Sequence, residues 1–351
     1  MTWVTSLARP EIVALEPYEF AAREPGFARL NANELPWRLS GDESDGGLNR
    51  YPEPQARELL ERLARLYEVA PESLLISRGS DEAIDLLVRT FCRAGQDAVL
   101  VTPPTFGMYA MAARIQGAKV LSVPLCIHEG FSLDPQALLR GCTRDVKLVF
   151  LCSPNNPTGN LLGEAAILEV ADALAGRALI VVDEAYIEFS HRESLAAQVA
   201  RRPQLAVLRT LSKAHGLAGS RLGTLIADPR VIALLGKVIA PYAIPQLVLE
   251  AVMALLSPAH LHTLPRRIAV LRSERIRMHQ ALSQLPSVIA VLPSSANFLL
   301  ARFRDPGAAL ERACAARILV RDARGYLGLK DGLRISIGTA EQNDQLLRCW
   351  A

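Results

Sequence analysis

The chain has 351 residues, of which 50% are hydrophobic and 21% charged, with a formal net charge of +3. That length exceeds one minimal core and predicts a large domain plus a smaller one. So small a charge argues against nucleic acid as a partner, and no uncharged apolar run reaches the length of a membrane span. The cysteines (Cys92, Cys126, Cys142, Cys152, Cys314 and Cys349) are scattered, several of them in apolar runs, with no C-x-x-C pair. Free thiols of this kind, with no basic-then-apolar leader at the N-terminus, predict a cytoplasmic protein without metal.

Residues 1–45 read as an N-terminal arm and part of the small domain, with Pro10, Pro17 and Pro25 breaking any long helix. From Gln55 to Tyr67, residues Leu59, Leu60, Leu63 and Leu66 share one helical face. Seven strand-like runs follow: LLIS (74–77), AVLVT (98–102), VLSVP (120–124), KLVFLCS (147–153), ALIVV (178–182), LAVLR (205–209) and GTLIA (223–227). Helical patterns at Glu82–Cys92, Glu164–Leu174 and Ser194–Ala200 lie between several of them. Near-continuous apolar strands alternating with helices predict an α/β fold, a mostly parallel seven-stranded sheet with helices on both faces. This large domain is expected over 46–265. A long charged helix over 262–285 leads into an expected small α+β domain over 266–351, holding VIAVLPSSANFLLARF, ERACAARI and LRISIG.

Ligands of parallel α/β sheets sit beyond the carboxyl ends of the strands. Four strand ends here carry complementary chemistry. After LLIS, Gly79, Ser80 and Asp81 open a helix whose first amides make an anion cup; a plain cap by Ser80 or Asp81 is the alternative. In CSPNNPTG, Asn156 is held between Asn155 and Pro157, which either aims its amide at a fixed oxygen or makes only a rigid turn. In VVDEAY, Asp183 follows an apolar run at the rim of the core, where a carboxylate needs a cation such as a protonated heterocyclic nitrogen. Ala185 could lie flat on that ring and Tyr186 could offer a hydroxyl. In LRTLSKAHGLAGSRLG, Lys213 supplies an amine that attacks a carbonyl once desolvated, with Thr210, Ser212 and Arg221 around it. Taken one by one, these groups answer the aldehyde, phosphate, ring nitrogen and phenolic oxygen of pyridoxal 5′-phosphate.

The same motifs, with LNANE, RYPEPQ, SRGSDEAIDLL, PPTFGMY, KVIAPY and LRISIG, cover nearly the whole chain. They resemble the fold-type I, pyridoxal-phosphate-dependent aminotransferases, class II, and within them the histidinol-phosphate branch. The resemblance implies an aspartate-aminotransferase-like large domain and transfer of an amino group from glutamate to imidazole acetol phosphate. The products would be histidinol phosphate and 2-oxoglutarate, in histidine biosynthesis. It implies Lys213 as cofactor-bearing lysine and proton shuttle, Asp183 on the ring nitrogen, and Asn156 and Tyr186 on the 3′-oxygen. Gly79, Ser80, Asp81, Thr210, Ser212 and Arg221 would hold the phosphate, and Tyr109 or Phe106 would stack on the ring. Tyr51 would reach a neighbouring subunit's phosphate, giving a homodimer with shared sites. Arg334, with Arg321, Tyr18, Asn33 and Asn156, would meet the small-molecule substrates. An aromatic aminotransferase or a threonine-phosphate-type decarboxylase would keep the same cofactor residues.

Overall fold

The computed structural model describes residues 2–24 and 26–351, so Pro25 of the arm lies outside the described residues. The seven expected runs form one sheet: β1 (Leu74–Ser77), β2 (Ala98–Val101), β3 (Lys119–Ser122), β4 (Val146–Cys152), β5 (Leu179–Asp183), β6 (Leu205–Thr210) and β7 (Gly223–Ile226). Their order is β1-β7-β6-β5-β4-β2-β3. The pairs β2–β3, β2–β4, β4–β5 and β5–β6 are parallel, whereas β7 runs antiparallel to both β6 and β1. Topology explains the exception. Parallel strands need a long crossover, but the segment between β6 and β7 holds only the single 3₁₀ turn Ala218–Ser220, so the chain turns straight back.

Alternate residues of the central strands feed two cores. Leu148, Phe150 and Val181 face the layer built by helices Gly79–Phe91, Met108–Gln116 and Pro229–Gly236. Val149, Leu151 and Ile180 face the layer with helices Arg57–Tyr67, Pro135–Gly141 and Glu164–Ala173. Burial on both faces is why these strands read as continuous apolar runs. Edge strand β1 is closed by a side chain: Gln55 accepts from Ile76 N at 2.8 Å and donates to Ile76 O at 3.0 Å. An edge satisfied in this way offers less to a foreign strand.

Two expectations about local structure change. Ser194–Ala200 holds only a 3₁₀ helix, Leu195–Gln198, because the Ser194 hydroxyl and the Leu195 amide both turn to the Glu184 carboxylate. The start of the arm also joins the large layer: helix Trp3–Leu7 buries Val4 and Leu7 in the core beside β1 and β4.

The second sheet, order β10-β11-β9-β8, is antiparallel throughout and comprises β8 (Val288–Val291), β9 (Phe298–Phe303), β10 (Arg321–Asp322) and β11 (Gly332–Ser336). Helices Pro306–Ala315 and Ala340–Trp350 cover it, and Trp350 donates its indole N–H to Ala309 O at 2.8 Å. The 26-residue helix Pro258–Ser283 crosses between the units. Ile268 packs beside Ala185 and Tyr186, while Met278 and Leu282 enter the small core. The expected junction at 265/266 therefore falls inside one continuous helix. No single helix among the described residues is long and apolar enough to cross a membrane.

Gly223 is a point of close backbone approach at the site-bearing edge of the sheet. It pairs with Ser77 of β1 and Thr210 of β6, and a Cβ there would lie 2.5 Å from Ser80 N and 2.6 Å from Gly79 C. Only glycine lets the helix starting at Gly79 sit this close to the sheet. Gly223→Ala is expected to cost about 1–3 kcal/mol through overpacking, read as a lower denaturation midpoint. An unchanged midpoint would show that the helix start yields freely.

Candidate active site

One cavity of about 260 Å³ opens at the carboxyl edge of the parallel strands, under the small sheet. The tip of β1 and the following helix supply Ser80 and Asp81, and the tip of β4 supplies Cys152 and Asn156. From β5 come Asp183, Ala185 and Tyr186, and from β6 and its return Thr210, Ser212, Lys213 and Arg221. Phe106 follows β2, and Arg321, Tyr326 and Arg334 descend from the small unit. Four strand tips separated in sequence thus share one space.

The anion cup is open for a ligand. The helix starts at Gly79, and Arg78 stands at its cap position without a side-chain cap bond. Ser80 and Asp81 are therefore inside the first turn, which settles the capping alternative: neither is the cap. The first amides of a helix have no partner within it. Gly79 has φ +78°, and a Cβ there would lie 2.8 Å from Arg221 Nη2, so its bareness admits the guanidinium. Arg221, itself left-handed at φ 51°, pairs with Asp81 at 3.1 Å. Thr210 Oγ1 accepts from Ser212 N at 3.1 Å, folding the chain round the cup.

Asp183 is 3% exposed and makes no ion pair among the described residues. Its carboxylate accepts from Tyr109 O–H at 2.7 Å and from Ala185 N at 3.0 Å. Burial raises its pKa, and the Tyr109 and Ala185 hydrogen bonds only partly offset that. An acid so placed stabilises a cation entering the cavity.

Lys213 is on the facing segment, its ammonium 5.6 Å from the centre of the Tyr186 ring. Desolvation and the nearby Arg334 guanidinium push its pKa below the ordinary lysine value, against the pull of Asp183 and Asp81. That enlarges the share of neutral, nucleophilic amine. Asn156 is contacted at both ends of its amide: its carbonyl accepts from Arg334 Nη1 at 2.5 Å and its NH2 lies 3.5 Å from the Tyr186 hydroxyl. Burial pushes the Tyr186 phenol upward, so it stays a donor.

Tyr109 is a correction. It is fully buried, stacked on Phe150 with ring centres 4.8 Å apart, and holds Asp183 from behind. Of the two candidates for stacking on the ring, Phe106 lines the cavity and Tyr109 does not. Tyr18, Asn33 and Tyr51 do not line it either; all three are exposed. Tyr326 lines it without having been foreseen, since it sits in the turn RGYLGL, which carries no periodic signal. Among the described residues no cluster of His, Cys, Asp and Glu could hold a metal ion.

The profile of the aminotransferase class I and II family matches residues 26–349. The chain belongs to that family. It is 49% identical over 348 residues to a histidinol-phosphate aminotransferase of Stenotrophomonas maltophilia, covering 98% of this chain and 95% of that one. Among solved structures, the histidinol-phosphate aminotransferase from Sinorhizobium meliloti in complex with pyridoxal-5′-phosphate is similar at 26% identity and TM-score 0.77, over 85% of this chain and 81% of that one. An L-threonine-O-3-phosphate decarboxylase from Porphyromonas gingivalis matches at 25% identity and TM-score 0.73, over 86% of this chain and 90% of that one.

The donor set fits pyridoxal phosphate. A buried carboxylate without a cation, an uncapped helix start beside an arginine, an amine of lowered pKa and the flat walls Phe106 and Ala185 meet its functional groups. In an aminotransferase this geometry gives Tyr109 an electrostatic task. Tyr109→Phe removes a charge-assisted bond and lets the Asp183 pKa rise further, so amino-group transfer should slow about tenfold, the factor set by about 1.4 kcal/mol. Steady-state kinetics at constant cofactor loading tests it; wild-type rates would contradict it. Arg334→Gln removes a cation that depresses Lys213, so the pH at which its amine is trapped by an aldehyde and borohydride should move upward. No shift, or a downward one, would contradict the assigned cause.

Proposed function

We propose that this aminotransferase interconverts histidinol phosphate and 2-oxoglutarate with imidazole acetol phosphate and glutamate, in histidine biosynthesis, on bound pyridoxal phosphate. The supporting observation is the convergence of Lys213 and Asp183 in one cavity with Arg321 and Arg334 at its mouth. The cofactor supplies a conjugated ring that takes up the electron pair freed at the substrate's α-carbon. Asp183 holds a proton on the ring nitrogen; Asn156 and Tyr186 orient the 3′-oxygen, while Phe106 and Ala185 flank the ring. The amides of Ser80 and Asp81, with Gly79 leaving room for Arg221, and the Thr210 and Ser212 hydroxyls take the phosphate. Lys213 Nζ would move the proton between the substrate's α-carbon and the cofactor's aldehyde carbon, in opposite directions in the two half-reactions, a task its lowered pKa suits.

The two amino donors differ in their anions: histidinol phosphate carries a phosphate and no carboxylate, whereas glutamate carries carboxylates only. Arg334 and Arg321 provide planar forks suited to both. Asn156 fixes Arg334, so the group that orients the ring also sets the angle of the substrate's clamp.

A homodimer with shared sites is part of this reading. Tyr18, Asn33 and Tyr51 are displayed on an outer surface with Leu30 and Trp37, which are 90% and 73% exposed. A second copy of this chain would cover those apolar side chains and receive the three polar ones. The six cysteines are all free, which supports a reducing, cytoplasmic setting.

Histidinol phosphate should bleach the yellow absorbance of the holoenzyme, and 2-oxoglutarate should restore it. Lys213→Ala should lower turnover at least about a thousandfold while the fold survives, because nucleophile and base leave together. Phenylalanine bleaching far better than histidinol phosphate would instead mark an aromatic aminotransferase. Carbon dioxide release from a phosphorylated amino acid would mark a decarboxylase.

A further inference from the structure

Glu34 lies outside the cavity, yet its carboxylate is among the best-held groups of the arm. Its side chain is 3% exposed. Oε1 accepts from Arg29 Nη2 at 2.6 Å and from the backbone N–H of Tyr51 at 2.7 Å, and Oε2 accepts from Arg50 Nη1 at 2.8 Å. Burial raises its pKa, but the Arg50 hydrogen bond, the Tyr51 amide and both cations outweigh it and hold the carboxyl below its usual value. One ionised acid therefore pins residues 29, 50 and 51 around itself, in a segment between Ala14 and Arg57 with neither helix nor strand among the described residues.

What it pins is telling. Asn33, the preceding residue, is in the left-handed region at φ 55°, a conformation that needs local support. The Tyr51 ring stacks on Tyr242 at 4.6 Å, Tyr242 meets Phe20 at 5.5 Å, and Phe20 meets Tyr18 at 5.4 Å. Of the three expected site residues absent from this chain's own cavity, Asn33 adjoins Glu34 in sequence, Tyr51 is bonded to it through its amide, and Tyr18 is linked to Tyr51 through Phe20 and Tyr242.

We propose that Glu34 is a positioning residue acting in trans: its carboxylate holds Asn33 and Tyr51 in the arrangement in which they complete the cavity of a second copy of this chain. This rests on the shared-site homodimer proposed above. Glu34→Gln keeps the shape but gives up the charge that gathers Arg29 and Arg50, so the arm loosens without direct damage to Lys213, Asp183 or the cup.

Hybrid dimers separate a role in trans from mere support of the fold. Chains carrying Glu34→Gln and chains carrying Lys213→Ala, differently tagged, are co-expressed and the mixed holo-dimer isolated. The Glu34→Gln homodimer should lose about tenfold or more in kcat/KM, and the Lys213→Ala homodimer should be inactive. The hybrid should recover about half of wild-type turnover, because one of its two sites joins an intact Lys213 to an intact arm. A hybrid no better per intact lysine than the Glu34→Gln homodimer would overturn the proposal, since Glu34 would then serve its own chain. Wild-type activity in the Glu34→Gln homodimer, or a monomeric holoenzyme, would also overturn it. Should Glu34→Gln not yield soluble protein, Glu34→Asp, which keeps the charge and shortens the reach, enters the same hybrid with the same outcomes. The substrate reading fails separately: the wild-type holoenzyme would then ignore histidinol phosphate, while hybrid recovery stays measurable with glutamate as donor.

Discussion

A carboxylate buried at the tip of β5 without a cation of its own sets the terms for the rest of the molecule. Its neighbour shows the contrast. Glu184 is equally buried, but Ser194 O–H and Leu195 N–H donate to it and Arg209 lies 3.9 Å away. Burial still lifts its pKa to about 7. Glu184 is thus answered from within the protein. Asp183 receives one phenol and one amide, and its open side faces the cavity. Burying an unpaired charge costs several kcal/mol unless a cation arrives. The fold leaves this acid able to take a cation, and Lys213, Asn156 and Ser80 line the same cavity.

The scaffold serves the same end. Because β7 returns antiparallel beside β6, Gly223 lies next to the tips of both β1 and β6 and lets the helix starting at Gly79 sit close to the segment that carries Lys213. On the opposite side, the turn after Tyr186 is gripped by the helix that joins the two units. Arg272 donates to the carbonyls of Glu188, Phe189 and Ser190, and Arg275 bridges Phe189 O and Ala296 O. The small unit that brings Arg321, Tyr326 and Arg334 is therefore tied by hydrogen bonds to the turn that carries Tyr186. Ring side and substrate side are mechanically joined.

The legible and illegible parts of the chain divide along physical lines. Six of the seven strands of the large sheet stand out because both of their faces are buried, whereas β3, at the sheet edge, is exposed or half-buried along its length and shows only a short apolar run. The reversal of β7 does not, since hydrophobicity carries no strand direction. Lys213, Asp183, Asn156 and the glycine-started helix are readable because polar residues at strand tips violate the apolar pattern. Phe106 and Tyr109 are ambiguous for another reason: the helix Met108–Gln116 begins between them, and its rotation alone turns Tyr109 beneath Asp183 while Phe106 faces the cavity. Tyr326 has no pattern to betray it. Tyr18, Asn33 and Tyr51 do not line their own chain's cavity, and they lie in a stretch without the periodic pattern of helix or strand.

The proposed chemistry requires Asp183 to keep a proton on the nitrogen of the bound ring. Nitrogen-15 NMR of holoenzyme loaded with ring-labelled pyridoxal phosphate observes that proton state directly. The wild type should show a protonated ring nitrogen throughout the neutral pH range, and Asp183→Asn should show a deprotonated one. A ring nitrogen already deprotonated at neutral pH in the wild-type holoenzyme would contradict it.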